Sequence, residues 1–251
     1  MPTATLLELE EAYEIVRAHM KPTPEIHWPL LSARTGAEVW VKHENHTPIG
    51  SFKIRGGLFY LHKLKQEHSN FRGIISATRG NHGQSLSLAA ALNDVPAVIL
   101  VPLNNNPEKN AAMKAFGAEL IEYGEDFQEA YEHTGAVAAE RDLHMVPAFH
   151  HHLMQGVGTY GLEFFGAHPD LDTVYVPIGQ GSGIAGLISA RDALNLNTKI
   201  VGVVAENAAC YALSFARRET VSTNSANTLA DGMACRVPIQ GALDIILAGA
   251  E

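Results

Sequence analysis

Hydrophobic residues follow two alternating patterns along the chain, short β-branched runs and longer stretches with helical spacing. The short runs predict strands at residues 39–41, 73–76, 97–101, 118–121, 173–177 and 199–205. The longer stretches predict helices at residues 52–65, 84–92, 107–116, 127–141 and 184–194. Thr5 and Glu8 match a capping box ahead of Leu9, which adds a helix near the N-terminus. Because strands and helices alternate, the sequence predicts an α/β fold with parallel strands joined by crossover helices.

The composition is that of an ordinary globular protein. The 251 residues are 46% hydrophobic and 18% charged, with a formal net charge of −9. Binding to nucleic acid needs clustered Lys and Arg, so this acidic balance argues against such a partner. No apolar run approaches the length of a membrane span, and an acidic helical pattern follows the first residues where a signal core would be apolar. Cys210 and Cys235 form neither a disulfide framework nor a metal knuckle, so we expect a reduced, cytoplasmic protein.

The first candidate for chemistry is a lysine at a predicted helix start. Lys53 follows Phe52 and precedes an Ile-Arg-Gly-Gly sequence. Desolvation beside Phe52 and the positive end of the helix dipole both disfavour a charged ammonium, which makes the free amine more accessible for imine chemistry. Taken alone, the pattern also fits a surface lysine flanked by a core phenylalanine.

A second candidate is the polar loop at residues 76–84, directly after the apolar residues 74–75. A strand followed by small polar residues, a glycine and a helix can form an anion cradle, with backbone N–H groups free for a carboxylate. The alternative is a tight turn with an ordinary helix cap.

The third candidate is the glycine-rich turn at residues 178–186, where a predicted strand feeds a helix. Such a turn is the general solution for holding a phosphate. The turn is not a P-loop, because no Gly-Lys-Ser/Thr follows. Gly181, Gly183 and Gly186 have the spacing of a dinucleotide-binding fingerprint, and Glu206 follows about twenty residues later, so a dehydrogenase is an alternative.

Together these loops resemble the fold-type II pyridoxal-phosphate enzymes, most closely the threonine/serine dehydratase branch. The motifs that carry the resemblance are residues 42–45 with 51–56 (the cofactor-lysine segment), 78–82 (the substrate-carboxylate loop), 158–159 with Glu163 (a Gly-Thr helix start), 179–182 (the tetraglycine phosphate loop) and 230–232 (a later active-site turn). Each motif is weak alone. Their joint order and spacing over most of the chain favours this family over a dinucleotide-binding protein.

The resemblance implies a two-lobed α/β fold of the tryptophan synthase β type, with parallel sheets. The small lobe would comprise residues 45–145, and the large lobe residues 1–44 and 146–251. Pyridoxal 5′-phosphate would lie between the lobes at the carboxyl ends of strands. We also expect identical chains to associate as a dimer or tetramer.

The resemblance also assigns roles to individual residues. Lys53 would be the catalytic residue that carries the cofactor and takes the α-proton of the substrate. Phe52 would pack near the cofactor ring, and Asn81 would donate a hydrogen bond to its phenolic oxygen. The remaining implied cofactor contacts are Gly179, Gln180, Gly181, Ser182 and Gly183. The implied substrate contacts are Thr78, Arg79, Gly80, Asn81 and His82.

The chain departs from the family pattern at several positions. Gln180 and Ser182 stand where the phosphate loop usually has glycines. Arg79 replaces a small residue, at a position where serine racemase has a serine as second base, so racemisation is not expected. Ala212 stands where the divalent-metal site of the family has an acidic residue, so no metal is predicted. The strand that supplies a Ser or Cys to the pyridine nitrogen would fall beyond Glu251, which leaves the partner of that nitrogen open.

The function implied is a dehydratase, or ammonia-lyase. It would convert a small β-hydroxy amino acid (threonine, serine or hydroxyaspartate) into a 2-oxo acid and ammonia. Three alternatives remain. A β-replacement synthase would share every loop and accept a second nucleophile. A nicotinamide dehydrogenase would bind a dinucleotide instead. A catalytically weakened protein that only binds the cofactor is favoured if the short C-terminus is natural.

Overall fold

The computed structural model describes residues 1–68 and 70–251 and has an α/β architecture. The strands are β1 (Glu25–His27), β2 (Trp40–Lys42), β3 (Ile74–Ala77), β4 (Ala97–Val101), β5 (Glu119–Glu122), β6 (His144–Met145), β7 (Thr173–Pro177) and β8 (Lys199–Val203). The helices are α1 (Leu6–Arg17), α2 (Pro29–Thr35), α3 (Lys53–Glu67), α4 (Asn81–Ala91), α5 (Pro107–Ala115), α6 (Phe127–Arg141), α7 (His151–Ala167), α8 (Ser182–Ala193), α9 (Cys210–Arg217) and α10 (Gln240–Gly249).

The strands form one central sheet and two smaller ones. The central sheet has the order β5-β4-β3-β6 with all strands parallel, and β7 and β8 form a separate parallel pair. The predicted α/β class with parallel sheets is therefore confirmed. Strands β1 and β2 are an exception, since they pair antiparallel.

Helix α7 differs most from the expectation. No helix was predicted at its N-terminal part, and Gly158-Thr159 was expected to begin one. That expectation is wrong, because both residues lie in the middle of α7. The helix begins at His151, since the His150 side chain accepts a hydrogen bond from the N–H of His152 and caps the end.

Glycines in α7 allow its neighbours to pack unusually close. A Cβ atom at Gly156 would lie 2.9 Å from the Cα of Gly56 on α3, and one at Gly161 would lie 2.7 Å from the Cβ of Ala190 on α8. Helices α3 and α8 thus pack against the same central helix. Their first residues, Lys53 and Ser182, come into direct contact.

The division of the chain into two lobes stays a prediction. The central sheet lies within residues 74–145, and a separate group of buried side chains from α7, α8, α10 and the β7–β8 pair forms its own apolar core. Within residues 1–68 and 70–251, no helix combines the length and apolar character needed to cross a membrane.

Candidate active site

A cavity of about 680 Å³ lies where the carboxyl ends of β3 and β7 meet the N-termini of α3, α4 and α8. Its lining includes every residue for which the sequence predicts a site role: Phe52, Lys53, Thr78, Arg79, Gly80, Asn81, His82, Gly179, Gln180, Gly181, Ser182 and Gly183. The structure therefore brings the three loops together. The role of each residue stays a prediction.

Lys53 is the first residue of α3 and points into the cavity. Its Nζ donates a hydrogen bond to the Ser182 Oγ at 2.7 Å and lies 5.4 Å from the centre of the Phe52 ring. Burial lowers the pKa of Lys53 to about 8, against a small opposing effect of the nearby Cys235. A much larger fraction of this amine is neutral near pH 7 than of an ordinary lysine, as imine chemistry requires.

The glycine-rich loop before α8 presents a run of backbone donors. Among the described residues, the N–H groups of residues 179–184 find no acceptor, and Gly181 caps α8 with no side-chain hydrogen bond. Gly181 has a φ of +95°, which favours glycine, and a Cβ atom at Gly183 would lie 3.2 Å from the Phe52 ring. Successive free N–H groups at the positive end of a 12-residue helix fit a phosphate group.

The second loop, between β3 and α4, lines the same cavity as Lys53. The Thr78 Oγ accepts hydrogen bonds from the N–H groups of Gly80 at 3.0 Å and Gly83 at 3.3 Å. The N–H of Gly80 is therefore not free for a carboxylate, contrary to the simplest form of the cradle. The buried Nε2 of His82 has no partner among the described residues. Burial and the nearby charge of Lys53 lower the pKa of His82 to about 3, so its imidazole is neutral.

A buried ionic network fixes the start of α3. Arg55 is fully buried and donates to Glu44 at 2.8 and 2.9 Å and to Glu163 at 2.9 and 2.7 Å. Lys42 adds a further bond to Glu163 at 2.7 Å. Because Arg55 is two residues after Lys53, both carboxylates hold the first turn of α3 in place.

Most of residues 224–237, which we call the covering segment, line the cavity, namely residues 224–226 and 230–237. Asp231 in this segment forms an ion pair with Lys109 of α5, and Arg236 lies 3.5 Å from Asp126, which caps α6. Sequence reasoning anticipated the 230–232 turn but missed Lys109, Asp126 and Arg236. No local pattern identifies them, because their positions follow from contacts between distant segments.

The histidine run at residues 150–152 lies outside the cavity lining. His152 Nε2 lies 3.0 Å from Glu67, and His151 Nε2 lies 3.4 Å from Glu8. Among the described residues, no three His, Cys, Asp or Glu side chains are grouped as metal ligands.

The chain is similar to known proteins along nearly its whole length. An L-threonine ammonia-lyase of Thermotoga maritima is 34% identical over 235 residues, which are 93% of this chain and 58% of that protein. A catabolic L-threonine dehydratase of Staphylococcus aureus is 34% identical over 96% of this chain and 70% of that protein. The chain thus spans less than two thirds of the length of the first of these relatives.

Solved structures share the fold. A maize serine racemase superposes with a TM-score of 0.94 at 25% identity, over 100% of this chain and 76% of that one. A processed threonine deaminase of Solanum lycopersicum gives a TM-score of 0.88 at 28% identity, over 100% of this chain and 75% of that one. The family described as pyridoxal-phosphate dependent enzyme matches residues 16–251. Its match over more than nine tenths of the sequence, together with the three loops around one cavity, shows that the chain belongs to the pyridoxal-phosphate-dependent enzyme family.

Proposed function

We propose that this protein is a dehydratase, or ammonia-lyase, that releases ammonia from a small β-hydroxy amino acid. The observation that carries the proposal is the contact between Lys53 and Ser182. It places a partly buried amine with a lowered pKa beside a run of free backbone N–H groups, in the same cavity as the loop at residues 78–82. An amine next to a phosphate cradle is the arrangement that a phosphorylated aldehyde cofactor requires.

The residues present fit pyridoxal phosphate. The N–H groups of residues 179–184 and the Ser182 hydroxyl would hold the phosphate, and Lys53 would hold the aldehyde carbon. Phe52 would border the ring, and Asn81 would donate to its phenolic oxygen. When bound, the cofactor supplies an electron-accepting ring that stabilises negative charge at the α-carbon of the amino acid.

The other steps belong to side chains of this protein. Lys53 Nζ would take the proton from the α-carbon, which requires the neutral amine that burial favours. The Thr78 hydroxyl, the Asn81 amide and the neutral His82 ring would bind the substrate carboxylate. The hydroxyl of Thr78 can still donate, since its two loop hydrogen bonds use it only as an acceptor.

We propose three candidate substrates. The named threonine ammonia-lyase and threonine dehydratase relatives favour threonine, and serine differs from threonine by one methyl group. Arg79 lines the same cavity and is exposed, so a β-hydroxyaspartate with a second carboxylate is the third candidate.

The visible absorbance spectrum of the purified protein tests this proposal. We expect a visible absorbance band that survives dialysis and changes on addition of L-threonine or L-serine. The same addition should release 2-oxo acid and ammonia in equal amounts. Lys53→Ala should abolish both the band and the turnover. Lys65→Ala, at the far exposed end of the same helix, is the matched control and should change neither.

Two outcomes would contradict the proposal. A dialysis-resistant band with normal turnover in Lys53→Ala would remove Lys53 from its role. Product formation only when sulfide or another second nucleophile is added would identify a β-replacement synthase.

We also propose self-association in the cytoplasm. Support for association comes from exposed apolar side chains around β1 and α2: Ile26, Trp28, Leu30 and Leu31, with Leu30 84% exposed. Two free cysteines are consistent with a reducing compartment. A monomer mass in sedimentation velocity at micromolar concentration would contradict the assembly.

A further inference from the structure

Two buried tyrosines lie behind the glycine-rich loop. The Tyr211 hydroxyl donates to the carbonyl oxygen of Gln180 at 3.1 Å, and the Tyr160 hydroxyl donates to the carbonyl oxygen of Gly183 at 2.9 Å. Tyr211 also accepts a hydrogen bond from the N–H of Ile239 at 3.0 Å, which ties the start of α10 to the same hydroxyl. A side chain from α9 therefore holds the loop at Gln180, and a side chain from α7 holds the first turn of α8 at Gly183.

The Tyr211 hydroxyl fixes the direction of the peptide group between Gln180 and Gly181. In a trans peptide the C=O and the following N–H point in opposite directions. The Gln180 carbonyl points toward Tyr211, so the N–H of Gly181 points the other way. The Gly183 carbonyl already lies in the first turn of α8, so the Tyr160 hydroxyl reinforces the direction that the helix gives it. Among the described residues, neither tyrosine lines the cavity, whereas residues 179–183 do. The N–H of Gly181, which lines the cavity, accordingly faces the cavity side.

We propose that Tyr160 and Tyr211 are positioning residues that orient the loop for a phosphate group. A carbonyl oxygen turned into the cavity would repel an anion, and a hydroxyl donor behind the loop stabilises the opposite orientation. The inference rests on the proposed role of residues 179–184 as the phosphate cradle. Both tyrosines would act through the loop, without contacting the cofactor or the substrate.

Both hydroxyls keep their protons under ordinary conditions. Burial raises the pKa of Tyr160 and of Tyr211 well above the usual value of a tyrosine, so each remains a donor across the working pH range. Tyr211 is 2% exposed and Tyr160 is 7% exposed, so water has little access to replace either hydroxyl.

Two ligands that differ only in the phosphate isolate the effect. Cofactor-free protein would be titrated with pyridoxal 5′-phosphate and with pyridoxal, which has the same ring and aldehyde, and both dissociation constants would be measured by absorbance. We expect the wild type to bind the phosphorylated ligand far more tightly. Tyr211→Phe and Tyr160→Phe should each weaken binding of pyridoxal 5′-phosphate by about tenfold, as expected for one lost hydrogen bond, and leave pyridoxal binding unchanged. Tyr175→Phe, on the 71% exposed Tyr175 just before the loop, is the control and should change neither constant.

Protection against thermal unfolding by inorganic phosphate gives a second readout for any variant of reduced stability, since it compares each protein with itself. We expect the phosphate-induced rise in melting temperature to shrink in both tyrosine variants. Equal weakening of both ligands, or an unchanged preference for the phosphorylated one, would overturn the role of the tyrosines. A wild type that binds pyridoxal as tightly as pyridoxal 5′-phosphate would instead refute the phosphate cradle itself.

Discussion

Lys53 owes its contact with Ser182 and its lowered pKa to packing between segments that are distant in the sequence. Sequence reasoning identified the residue and attributed its reactivity to Phe52 and the helix dipole. The structure adds Ser182, 129 positions away, as the direct partner of the amine, and burial in the cavity as the main cause of its lowered pKa. The place of Lys53 in the cavity was predictable because its motif is local, whereas its environment forms only when α3 and α8 pack on α7.

The sequence suggests that Arg79 contacts the substrate, and its side chain is free to do so in the structure. Its side chain is exposed at the cavity, and the described residues supply it with no hydrogen-bond or ion-pair partner. The neighbouring Lys109 is already paired with Asp231. Arg79 is thus a free planar donor for a second substrate carboxylate.

We therefore expect Arg79→Ala to act selectively on a dicarboxylate substrate. Loss of a bidentate contact of about 1.5–3 kcal/mol should lower kcat/KM for β-hydroxyaspartate by roughly ten- to a hundredfold. Threonine and serine should be spared, and Arg72→Ala, an exposed arginine paired with Asp142, should affect none of the three. Steady-state kinetics on all three substrates checks this. Equal losses on all of them would mean that Arg79 supports the loop and does not contact the side chain of the substrate.

At the scale of elements, the local sequence patterns predicted the helices and strands whose bounds depend on local sequence. Helix α6 and strands β4 and β7 have the bounds that the sequence indicated. The sequence predicts no helix at residues 151–157 because glycines lower helix propensity. Three of the four glycines in α7 have a tertiary reason: a Cβ atom at Gly156 would meet α3, and one at Gly158 or Gly161 would meet α8. Strand β6 has only two residues, too few for any periodic pattern.

The conformation of the chain at the start of α8 also depends on packing. A matched pair of glycines tests whether cofactor binding depends on that conformation. Gly181 and Gly36 both have positive φ, +95° and +71°, and this backbone strain alone should cost alanine at either position about 1 kcal/mol of unfolding free energy. A Cβ at Gly181 would also lie 2.6 Å from the Cβ of Ala242, whereas nothing lies within 4 Å of one at Gly36. We expect Gly181→Ala to weaken cofactor binding at least about tenfold, because the loop must shift, and Gly36→Ala to leave it unchanged. Cofactor titration and denaturant unfolding measure both effects, and equal cofactor affinities would contradict the prediction.

At the scale of the whole molecule, the cavity is bounded by segments that only the complete fold brings together. All the residues predicted for the site line the cavity. They could be predicted because each belongs to a loop with a recognisable local pattern. Two ion pairs that were not predicted join other elements to the covering segment. Lys109 of α5 pairs with Asp231, 122 positions away, and Asp126, which caps α6, pairs with Arg236, 110 positions away. Ion pairs of this kind have no signature in a single sequence, because either partner looks like an ordinary surface charge.

These two ion pairs should control how readily the cavity opens. Lys109 is 21% exposed and its partner Asp231 is 46% exposed, so their interaction is partly screened and worth less than about 1 kcal/mol. We expect Lys109→Met to accelerate cofactor release about two- to fivefold and to increase hydrogen exchange in residues 224–237. Release from the wild type should quicken with added salt, and release from Lys109→Met should respond less, because one of the two screened pairs is gone. Arg141→Met removes an exposed arginine that pairs with Glu119 away from the cavity, and it should leave release unchanged. If Lys109→Met and Arg141→Met release the cofactor at the wild-type rate with the same salt dependence, the pair between Lys109 and Asp231 does not hold the covering segment closed.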